Sequence, residues 1–345
     1  MSTSPIIFYD DVEALNNSLH GIVHSYSTIF ILCDENTQKH CLPLLAVNST
    51  NVINIKAGEE HKTIDTCTLI WSKLTAENAD RNSLLINLGG GVVTDIGGFA
   101  AACYKRGIAY INIPTTLLAM VDASIGGKTG IDFQFYKNQI GVFNPPLSVH
   151  LCTTFLKTLA PDLVNAGMAE VVKHYLIADA TAFENLNTLP AVIDRALIEK
   201  AVSIKSTIVA LDPYDKGLRK LLNFGHTVGH AIESLALERG KAILHGEAVA
   251  LGMAVETIIS EKMSLLVAEK AVLIVNKLLS LFDLKQIDTT EIEYIIKLIM
   301  QDKKNNHGII NMVLPTAIGS CQIDVAVSAD LIRDAITDYN SRLTT

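Results

Sequence analysis

A short apolar run stopped by three consecutive glycines constrains the fold of this chain more than any other feature. The run is Ser83-Leu84-Leu85-Ile86-Asn87-Leu88, and Gly89-Gly90-Gly91 end it before a helix-forming stretch. Two similar runs occupy residues 28–33 and 110–113. Apolar strands that alternate with helical segments are typical of a parallel sheet covered on both faces. The first part of the chain is therefore predicted to form such a sheet.

The pattern changes after Pro145-Pro146, where apolar residues recur at helical spacing. The clearest helical segments are residues 191–210, 221–237, 246–266 and 268–281. Only Val313-Leu314 and the residues near Ile323 suggest extended structure. We predict a Rossmann-like α/β domain with a mostly parallel sheet over residues 1–150, followed by a mainly α-helical domain over residues 151–345.

Composition narrows the classes of function. Charged residues make up 19% of the 345 residues and hydrophobic residues 49%, as in a folded enzyme. The net charge of -8 gives no reason to expect a nucleic-acid or acidic-membrane partner. The six cysteines form no short-spaced pair, no secretory leader is evident, and no apolar run approaches the roughly 18 residues of a membrane helix. We expect a cytoplasmic protein with reduced thiols and no membrane partner.

The three glycines after residue 88 favour a nucleotide site. Ligands of parallel sheets bind at the carboxyl ends of the strands, and a helix that starts there directs backbone N–H groups at phosphate oxygens. A tight strand-to-helix turn without a ligand is the alternative. Gly126-Gly127-Lys128-Thr129 resembles the end of a P-loop, but Asp122 stands where that motif requires glycine. This segment can still form a phosphate-binding turn, but it is not predicted to be an ATP-hydrolysing P-loop.

Five side chains are candidate ligands for a catalytic divalent metal. His226 and His230 are four residues apart and share a helical face, as do Glu170 and His174, and His245 follows later. Such a metal typically takes three nitrogen or carboxylate ligands and leaves one position open. Spacing alone does not choose among the five.

Several cations lie beside these motifs on an otherwise acidic chain. They are Lys105, Arg106, Lys128, Lys137 and Lys173. Scattered solvated lysines are one interpretation, and an anionic small-molecule ligand is the other. Lys173 lies three residues after Glu170, and a lysine beside a metal is unfavourable unless an anion joins them. If the metal is bound, the anionic ligand is favoured over a surface Glu–Lys pair.

Taken together, the motifs resemble the 3-dehydroquinate synthase family, the second enzyme of the shikimate pathway. The resemblance extends from Gly58 to Pro315. In the first half it rests on Gly58-Glu59 with Lys62, Gly89-Gly90-Gly91-Val92-Val93 with Asp95, Arg106-Gly107, Pro114-Thr115-Thr116-Leu117-Leu118, Val121-Asp122-Ala123-Ser124-Ile125-Gly126-Gly127-Lys128-Thr129 and Lys137-Asn138. In the second half it rests on Glu170-Val171-Val172-Lys173, Gly217-Leu218-Arg219, Asn223-Phe224-Gly225-His226-Thr227, Gly229-His230-Ala231-Ile232-Glu233, His245-Gly246-Glu247 and Asp302-Lys303-Lys304.

The resemblance implies a role for each matching residue. Zinc, or cobalt in its place, would be bound by Glu170, His226 and His245, with His230 as a proton-transfer partner. NAD would be bound by Asp34, Asn36, Glu59, Lys62, Gly90, Gly91, Val92, Asp95, Thr115, Thr116, Leu118, Lys137, Phe155 and Thr158. The substrate would contact Asp122, Lys128, Asn138, Lys173, Lys205, Arg219, Asn223 and one or both of Lys303 and Lys304. Arg106 would reach the substrate phosphate of a neighbouring subunit, which implies a homodimer.

The implied reaction converts 3-deoxy-D-arabino-heptulosonate 7-phosphate, an anionic sugar phosphate, to 3-dehydroquinate and phosphate. It combines transient oxidation by NAD, β-elimination, reduction and an aldol ring closure. Three rival functions are a metal-dependent polyol dehydrogenase, another sugar-phosphate cyclase and a catalytically inactive nucleotide-binding protein. The chain departs from the family pattern at Leu159-Ala160-Pro161-Asp162-Leu163, at Asp212-Pro213-Tyr214-Asp215 and at Thr94.

Overall fold

The chain divides into two units in the structure, a computed structural model that describes residues 4–47, 49, 51–134, 136–241, 243–301 and 310–343. The first unit comprises Met1–Val164 and Ile193–Ser206, and the second comprises Asn165–Val192 and Thr207–Thr345. Residues 193–206, which are helical from Arg195 onwards, thus pack with the first unit although they follow part of the second in sequence. The predicted division at residue 150 into a nucleotide domain and a metal domain stays a prediction.

The first unit contains a six-stranded parallel sheet. The strands of this unit are β1 (Ile6–Tyr9), β2 (Ile29–Asp34), β3 (Asn51–Ile55), β4 (Leu84–Gly89), β5 (Ala109–Pro114), β6 (Lys128–Phe133), β7 (Tyr136–Phe143) and β8 (Val149–Cys152). The strand order in the sheet is β1-β8-β5-β4-β2-β3. Its helices are α1 (Val12–Val23), α2 (Glu35–His40), α3 (Ile64–Ala76) and α4 (Gly91–Cys103). The predicted parallel sheet with flanking helices is confirmed.

The core of the first unit follows from the apolar runs. All six residues of β4 are buried, and Phe30, Leu32 and Leu85 of the sheet pack in one cluster with Ile70 of α3 and Ile96 of α4. Burying a large aliphatic or aromatic side chain contributes about 1.5–3 kcal/mol. The run that stops at Gly89 is therefore a central strand, and α4 begins at Gly91 directly after it.

An antiparallel hairpin of β6 and β7 is a feature that the sequence pattern did not reveal. Gly126 and Gly127 precede it with φ values of 96° and 66°, a region that favours glycine. The segment Gly126-Gly127-Lys128-Thr129 thus leads into a strand, whereas a P-loop leads into a helix. The prediction that this segment is not an ATP-hydrolysing P-loop agrees with its backbone.

The second unit is mainly helical, as predicted. The remaining helices are α5 (Pro161–Ala178), α6 (Ala180–Asn185), α7 (Arg195–Leu211), α8 (His226–Glu238), α9 (His245–Lys262), α10 (Ala268–Leu281), α11 (Ile292–Gln301) and α12 (Ala329–Arg342). Helices α5 and α7 each have a part in both units. The extended residues near 313 and 323 form an antiparallel pair, β9 (Ile310–Ala317) and β10 (Ser320–Val327). Within the described ranges, no helix combines the length and apolarity that a bilayer span requires.

One predicted helix is interrupted. The apolar spacing over residues 221–237 predicted a single helix, but α8 begins only at His226, after a short 3₁₀ turn over Leu218–Asn223. Gly225 separates the two with a left-handed backbone at φ 80°. The apolar periodicity continues through this break, so spacing did not reveal it.

A buried histidine in the first unit predicts a pH-dependent stability. His150 has 0% exposure, and its ring nitrogens hydrogen-bond with Tyr9 at 2.8 Å and Ser148 at 2.7 Å. Burial lowers the pKa of His150 from 6.5 to about 4. His150 is therefore protonated at a higher pH in the unfolded chain than in the folded chain. The stabilisation that is present above pH 6.5 is lost as the pH falls towards 4.

We expect the free energy of unfolding to fall by about 2 kcal/mol between pH 7 and pH 5 through this residue alone. Urea unfolding of the wild type and of His150→Gln at both pH values measures the effect. His24→Gln, at an exposed position of the same unit, is the control. If the free energy of unfolding of His150→Gln fell between pH 7 and pH 5 by as much as that of the wild type, His150 would not be the source of the effect.

Candidate metal and nucleotide sites

Glu170, His226 and His245 converge in the second unit. The Nε2 atoms of His226 and His245 each lie 3.5 Å from Oε1 of Glu170. One ligand atom from each residue lies within 4.8 Å of the other two, a spacing that could hold a metal ion. Glu170 has 0% exposure. The three residues lie on α5, α8 and α9, so the fold brings together side chains that are far apart in sequence.

The other nitrogen of each imidazole already has an acceptor. Nδ1 of His245 lies 3.1 Å from Oε2 of Glu233, and Nδ1 of His226 lies 3.1 Å from the carbonyl oxygen of Phe224. Metal-binding histidines usually donate their second ring N–H to a carboxylate or a backbone carbonyl, which fixes the ring orientation. Both Nε2 atoms are thereby directed towards Glu170.

Glycines allow the three helices to approach this closely. A Cβ atom on Gly246 would lie 2.0 Å from the carbonyl oxygen of Ala166 in α5, and one on Gly252 would lie 1.9 Å from the carbonyl oxygen of Gly225. Side chains at either position would separate α9 from the backbone that carries Glu170 or His226. The glycines therefore set the distances between the candidate ligands.

The charges around this cluster favour a cation. Burial lowers the pKa of His245, but Glu233 and Glu170 outweigh it and hold that pKa at about 10. The field that attracts a proton here also attracts a divalent ion. Lys173, with 1% exposure, forms an ion pair with Oε2 of Glu170, and Oε1 faces the histidines.

His230 and His174 were the other two candidate ligands. The ring of His230 lies 5.1 Å from that of His226 and 5.9 Å from that of His245, and it is half-buried. His230, Glu233 and His245 also form a group with metal-binding spacing. Within that group, Nδ1 of His245 and Oε2 of Glu233 lie 3.1 Å apart. His174 is fully buried on α5.

Four of the residues predicted to bind NAD form an ionic network in the first unit. Lys62 Nζ lies 2.7 Å from Asp95 Oδ2 and 3.6 Å from Glu59 Oε1, and Lys137 forms an ion pair with the same Glu59. Burial opposes the charge of Lys62, yet Asp95 and Glu59 raise its pKa above the ordinary value. These groups are held in a charged, partly buried cluster.

The same network includes two further residues. Asn138, predicted to contact the substrate, accepts a hydrogen bond from Lys62 at 2.6 Å. Asp132 accepts from the backbone N–H of Asn138 at 2.7 Å and lies 3.7 Å from Lys137 Nζ. Sequence reasoning missed Asp132, because only the pairing of β6 with β7 places it beside Asn138.

The other residues predicted to bind NAD lie mostly at the carboxyl ends of sheet strands. Asp34 ends β2 and caps α2, in which Asn36 is exposed. After β4, Gly90, Gly91 and Val92 lie at the start of α4. A Cβ atom on Gly90 would lie 3.0 Å from Thr116 Cγ2, so the turns after β4 and β5 adjoin. Thr115 and Leu118 follow β5, and the 3₁₀ turn Thr153–Thr158 carries a buried Phe155 and an exposed Thr158.

The cations predicted to bind the substrate differ in exposure. Lys205 has 5% exposure, and its Nζ lies 2.6 Å from Asp122 Oδ1, in a π-helical turn over Ala119–Ala123. Lys128 and Arg106 are exposed. In the second unit, Arg219 has 2% exposure and Asn223 ends the 3₁₀ turn before Gly225. Lys303 and Lys304 lie outside the described residues.

The segment Asp212-Pro213-Tyr214-Asp215, which departs from the family pattern at Pro213 and Asp215, contacts Arg219. Asp212 accepts hydrogen bonds from the backbone N–H groups of Gly217 at 2.7 Å and Arg219 at 3.1 Å. Arg219 in turn donates to the carbonyl oxygen of Pro213 at 2.8 Å. This loop therefore holds the buried guanidinium of Arg219.

Comparison with known proteins assigns the family. Residues 52–166 match the family described as 3-dehydroquinate synthase N-terminal, and residues 167–305 match the one described as 3-dehydroquinate synthase C-terminal. A 3-dehydroquinate synthase from Parabacteroides distasonis is 39% identical over 98% of this chain and 98% of its own length. The chain belongs to the 3-dehydroquinate synthase family. The predicted family is confirmed, and with it the activity of a phosphate-eliminating lyase of the shikimate pathway.

Solved structures of related cyclases have the same fold. The 2-epi-5-epi-valiolone synthase ValA from Streptomyces hygroscopicus, with NAD+ and Zn2+ bound, has a TM-score of 0.87 and 27% identity over 99% of this chain and 98% of its own. A 2-deoxy-scyllo-inosose synthase complexed with carbaglucose-6-phosphate, NAD+ and Co2+ has a TM-score of 0.86 and 25% identity over 98% of this chain and 99% of its own. The rival function of another sugar-phosphate cyclase is thus supported only at the level of the superfamily.

Within the 3-dehydroquinate synthase family motif Gly229-His230-Ala231-Ile232-Glu233, sequence reasoning assigned a role to His230 and none to Glu233. The structure places Glu233 against His245 Nδ1. The signal was present, since Glu233 lies three residues after His230 and shares its helical face. A carboxylate on that face is the expected partner of a metal-binding imidazole.

Proposed function

We propose that this chain carries out the 3-dehydroquinate synthase reaction with a divalent ion bound by Glu170, His226 and His245 and with NAD bound in the first unit. The observation that carries the proposal is the geometry of Glu170, whose Oε1 lies 3.5 Å from the Nε2 atoms of both histidines. Two imidazoles and one carboxylate form a donor set that suits zinc and leaves a position open. Cobalt can occupy the same set.

The bound groups supply reversible hydride transfer and polarisation of a hydroxyl group. The chain supplies their positions. Glu233 and the carbonyl of Phe224 orient the two imidazoles, and both have hydrogen bonds of 3.1 Å in the structure. In the first unit, Glu59, Lys62, Asp95 and Lys137 form the part of the NAD site that is held by ion pairs.

The remaining polar residues handle the charge and the protons of the substrate. His230 is half-buried beside the metal cluster, and we assign it a proton transfer during phosphate elimination, which general acid–base catalysis accelerates about 10²–10⁴-fold. Lys128, Lys173, Lys205, Arg219 and Asn223 are assigned to the anionic and hydroxyl groups of the substrate. A neutral polyol would not require these cations, which disfavours the dehydrogenase alternative.

We assign the chain to a cytoplasmic homodimer, in which Arg106 contacts substrate in the partner subunit. The β6–β7 hairpin supports the homodimer, because it exposes large apolar side chains: Phe133 at 43%, Ile140 at 38%, Val142 at 38% and Phe143 at 39%. Large apolar side chains that are exposed within one hairpin are often covered by a partner protein. A monomer mass in sedimentation equilibrium at micromolar concentration would contradict it.

Phosphate release from 3-deoxy-D-arabino-heptulosonate 7-phosphate tests the function directly. We expect one phosphate and one 3-dehydroquinate per substrate, no accumulation of NADH, and loss of activity with a chelator that zinc or cobalt restores. Stoichiometric NADH from phosphate-free polyols would favour the dehydrogenase instead. Full activity in the chelator would contradict the proposed metal site while leaving the reaction assignment intact.

A further inference from the structure

Glu256 is a buried carboxylate that no motif of the chain pointed to. It lies on α9 with 0% exposure, eleven residues after His245. At about 1.5 Å per residue, this places it roughly 16 Å along the helix from His245. Burying a carboxylate is unfavourable unless it accepts strong hydrogen bonds. The groups that hydrogen-bond to Glu256 therefore indicate its role.

Glu256 caps a different helix. Its Oε2 accepts a hydrogen bond from the backbone N–H of Gly225 at 2.7 Å, and its Oε1 accepts from Thr227 at 3.0 Å and from Val228 at 3.1 Å. These donors belong to the first turn of α8, where Gly225 is the N-cap and has no side chain to satisfy them. A negative charge at this end also interacts favourably with the helix dipole.

A shared peptide unit connects the hydrogen bond between Gly225 and Glu256 to the candidate metal ligand His226. The N–H of Gly225 and the carbonyl of Phe224 belong to one planar peptide unit and point in opposite directions. Glu256 holds the N–H edge at 2.7 Å, and the carbonyl edge lies 3.1 Å from Nδ1 of His226. Fixing one edge of this plane fixes the other, and thereby the orientation of the imidazole.

Helix α9 also constrains the next peptide unit. The carbonyl oxygen of Gly225 lies so close to Gly252 that a Cβ atom there would be 1.9 Å away. Gly252 and Glu256 are four residues apart and share one face of α9. Both peptide units that flank the left-handed Gly225 are thus constrained by this face.

We propose that Glu256 is a positioning residue for His226, acting through the peptide unit between Phe224 and Gly225. The inference rests on the proposed metal site. It predicts that the carboxylate affects metal affinity beyond its contribution to folding. Outer groups that orient metal ligands typically change metal affinity 10–100-fold when removed.

The test compares Co2+ affinity and the visible spectrum of the cobalt-loaded full-length chain. In Glu256→Gln, whichever way the amide turns, its NH₂ group faces a backbone N–H donor. We expect about 10–100-fold weaker binding and altered cobalt bands. The control is Asp179→Ala, which removes a carboxylate that caps α6 through Ala182 N at 2.8 Å. It should lower the melting temperature and leave the cobalt affinity unchanged.

If Glu256→Gln does not fold, Glu256→Asp decides the question, because it keeps the charge but shortens the reach, and we expect an intermediate loss of affinity. A Glu256 variant that folds and binds Co2+ as tightly as the wild type would overturn the inference. An equal loss of Co2+ affinity in Asp179→Ala would also overturn it. Failure of the unmodified chain to bind cobalt would contradict the proposed metal site itself, and the inference would fall with it.

Discussion

Replacing His245 with alanine is expected to empty the metal site and to reduce turnover by about 10³-fold or more, since metal catalysis supplies several kcal/mol of transition-state stabilisation. The variant removes one of two imidazoles that lie 3.5 Å from Glu170 Oε1. It leaves the helix intact, because His245 is only the first residue of α9 and its side chain is 24% exposed. The fold should therefore persist.

Three measurements decide this prediction: phosphate release, metal content after dialysis, and the thermal unfolding of the metal-free chains. His24→Ala is the matched control, because that imidazole is exposed on the first unit and should be dispensable. Near-wild-type turnover of His245→Ala without added metal would refute the ligand assignment. Loss of the folded state would mean that the lost activity says nothing about the metal.

Replacing Gly246 with alanine is expected to have the second large effect. It should destabilise the chain, whereas the same replacement within a helix usually stabilises. Alanine within a helix is normally more stable than glycine by about 0.8–1 kcal/mol. Here the added Cβ would lie 2.0 Å from the carbonyl oxygen and 2.4 Å from the Cα atom of Ala166, both backbone atoms. We expect a destabilisation of about 3 kcal/mol and weaker metal binding, because α9 must move away from α5.

Gly21→Ala provides the control for this effect. Gly21 lies inside α1, and a Cβ atom there would meet nothing within 4 Å. Its replacement should stabilise the chain by about 0.5 kcal/mol. Urea unfolding measures both variants, and a cobalt titration measures their metal affinity. A Gly246→Ala variant as stable as Gly21→Ala would show that α9 and α5 are not held at this distance.

The fold was predictable where local pattern and burial agree. Largely apolar runs such as residues 83–88 are buried on both faces, so they identify parallel strands without tertiary information. The β6–β7 hairpin was missed because most of its second strand is exposed and lacks a regular apolar alternation. The return of residues 193–206 to the first unit depends on packing between distant segments, which the helical pattern of α7 does not encode.

The sequence predicted which residue types form the candidate site, but it predicted fewer of the contacts between them. Spacing left five side chains competing for three metal positions, and only the family resemblance selected Glu170, His226 and His245. The three side chains also make contacts in the structure that spacing does not contain, such as the hydrogen bond of His245 with Glu233. Asp132 and Glu256 were missed because each acts on a residue of a different element.

Anomalous diffraction at the zinc edge, from crystals grown with zinc and NAD, tests the central claim most directly. We predict one strong peak about 2.0–2.2 Å from Glu170 Oε1 and from the Nε2 atoms of His226 and His245. A peak coordinated instead by His230 and Glu233, or zinc bound elsewhere on the chain, would contradict it.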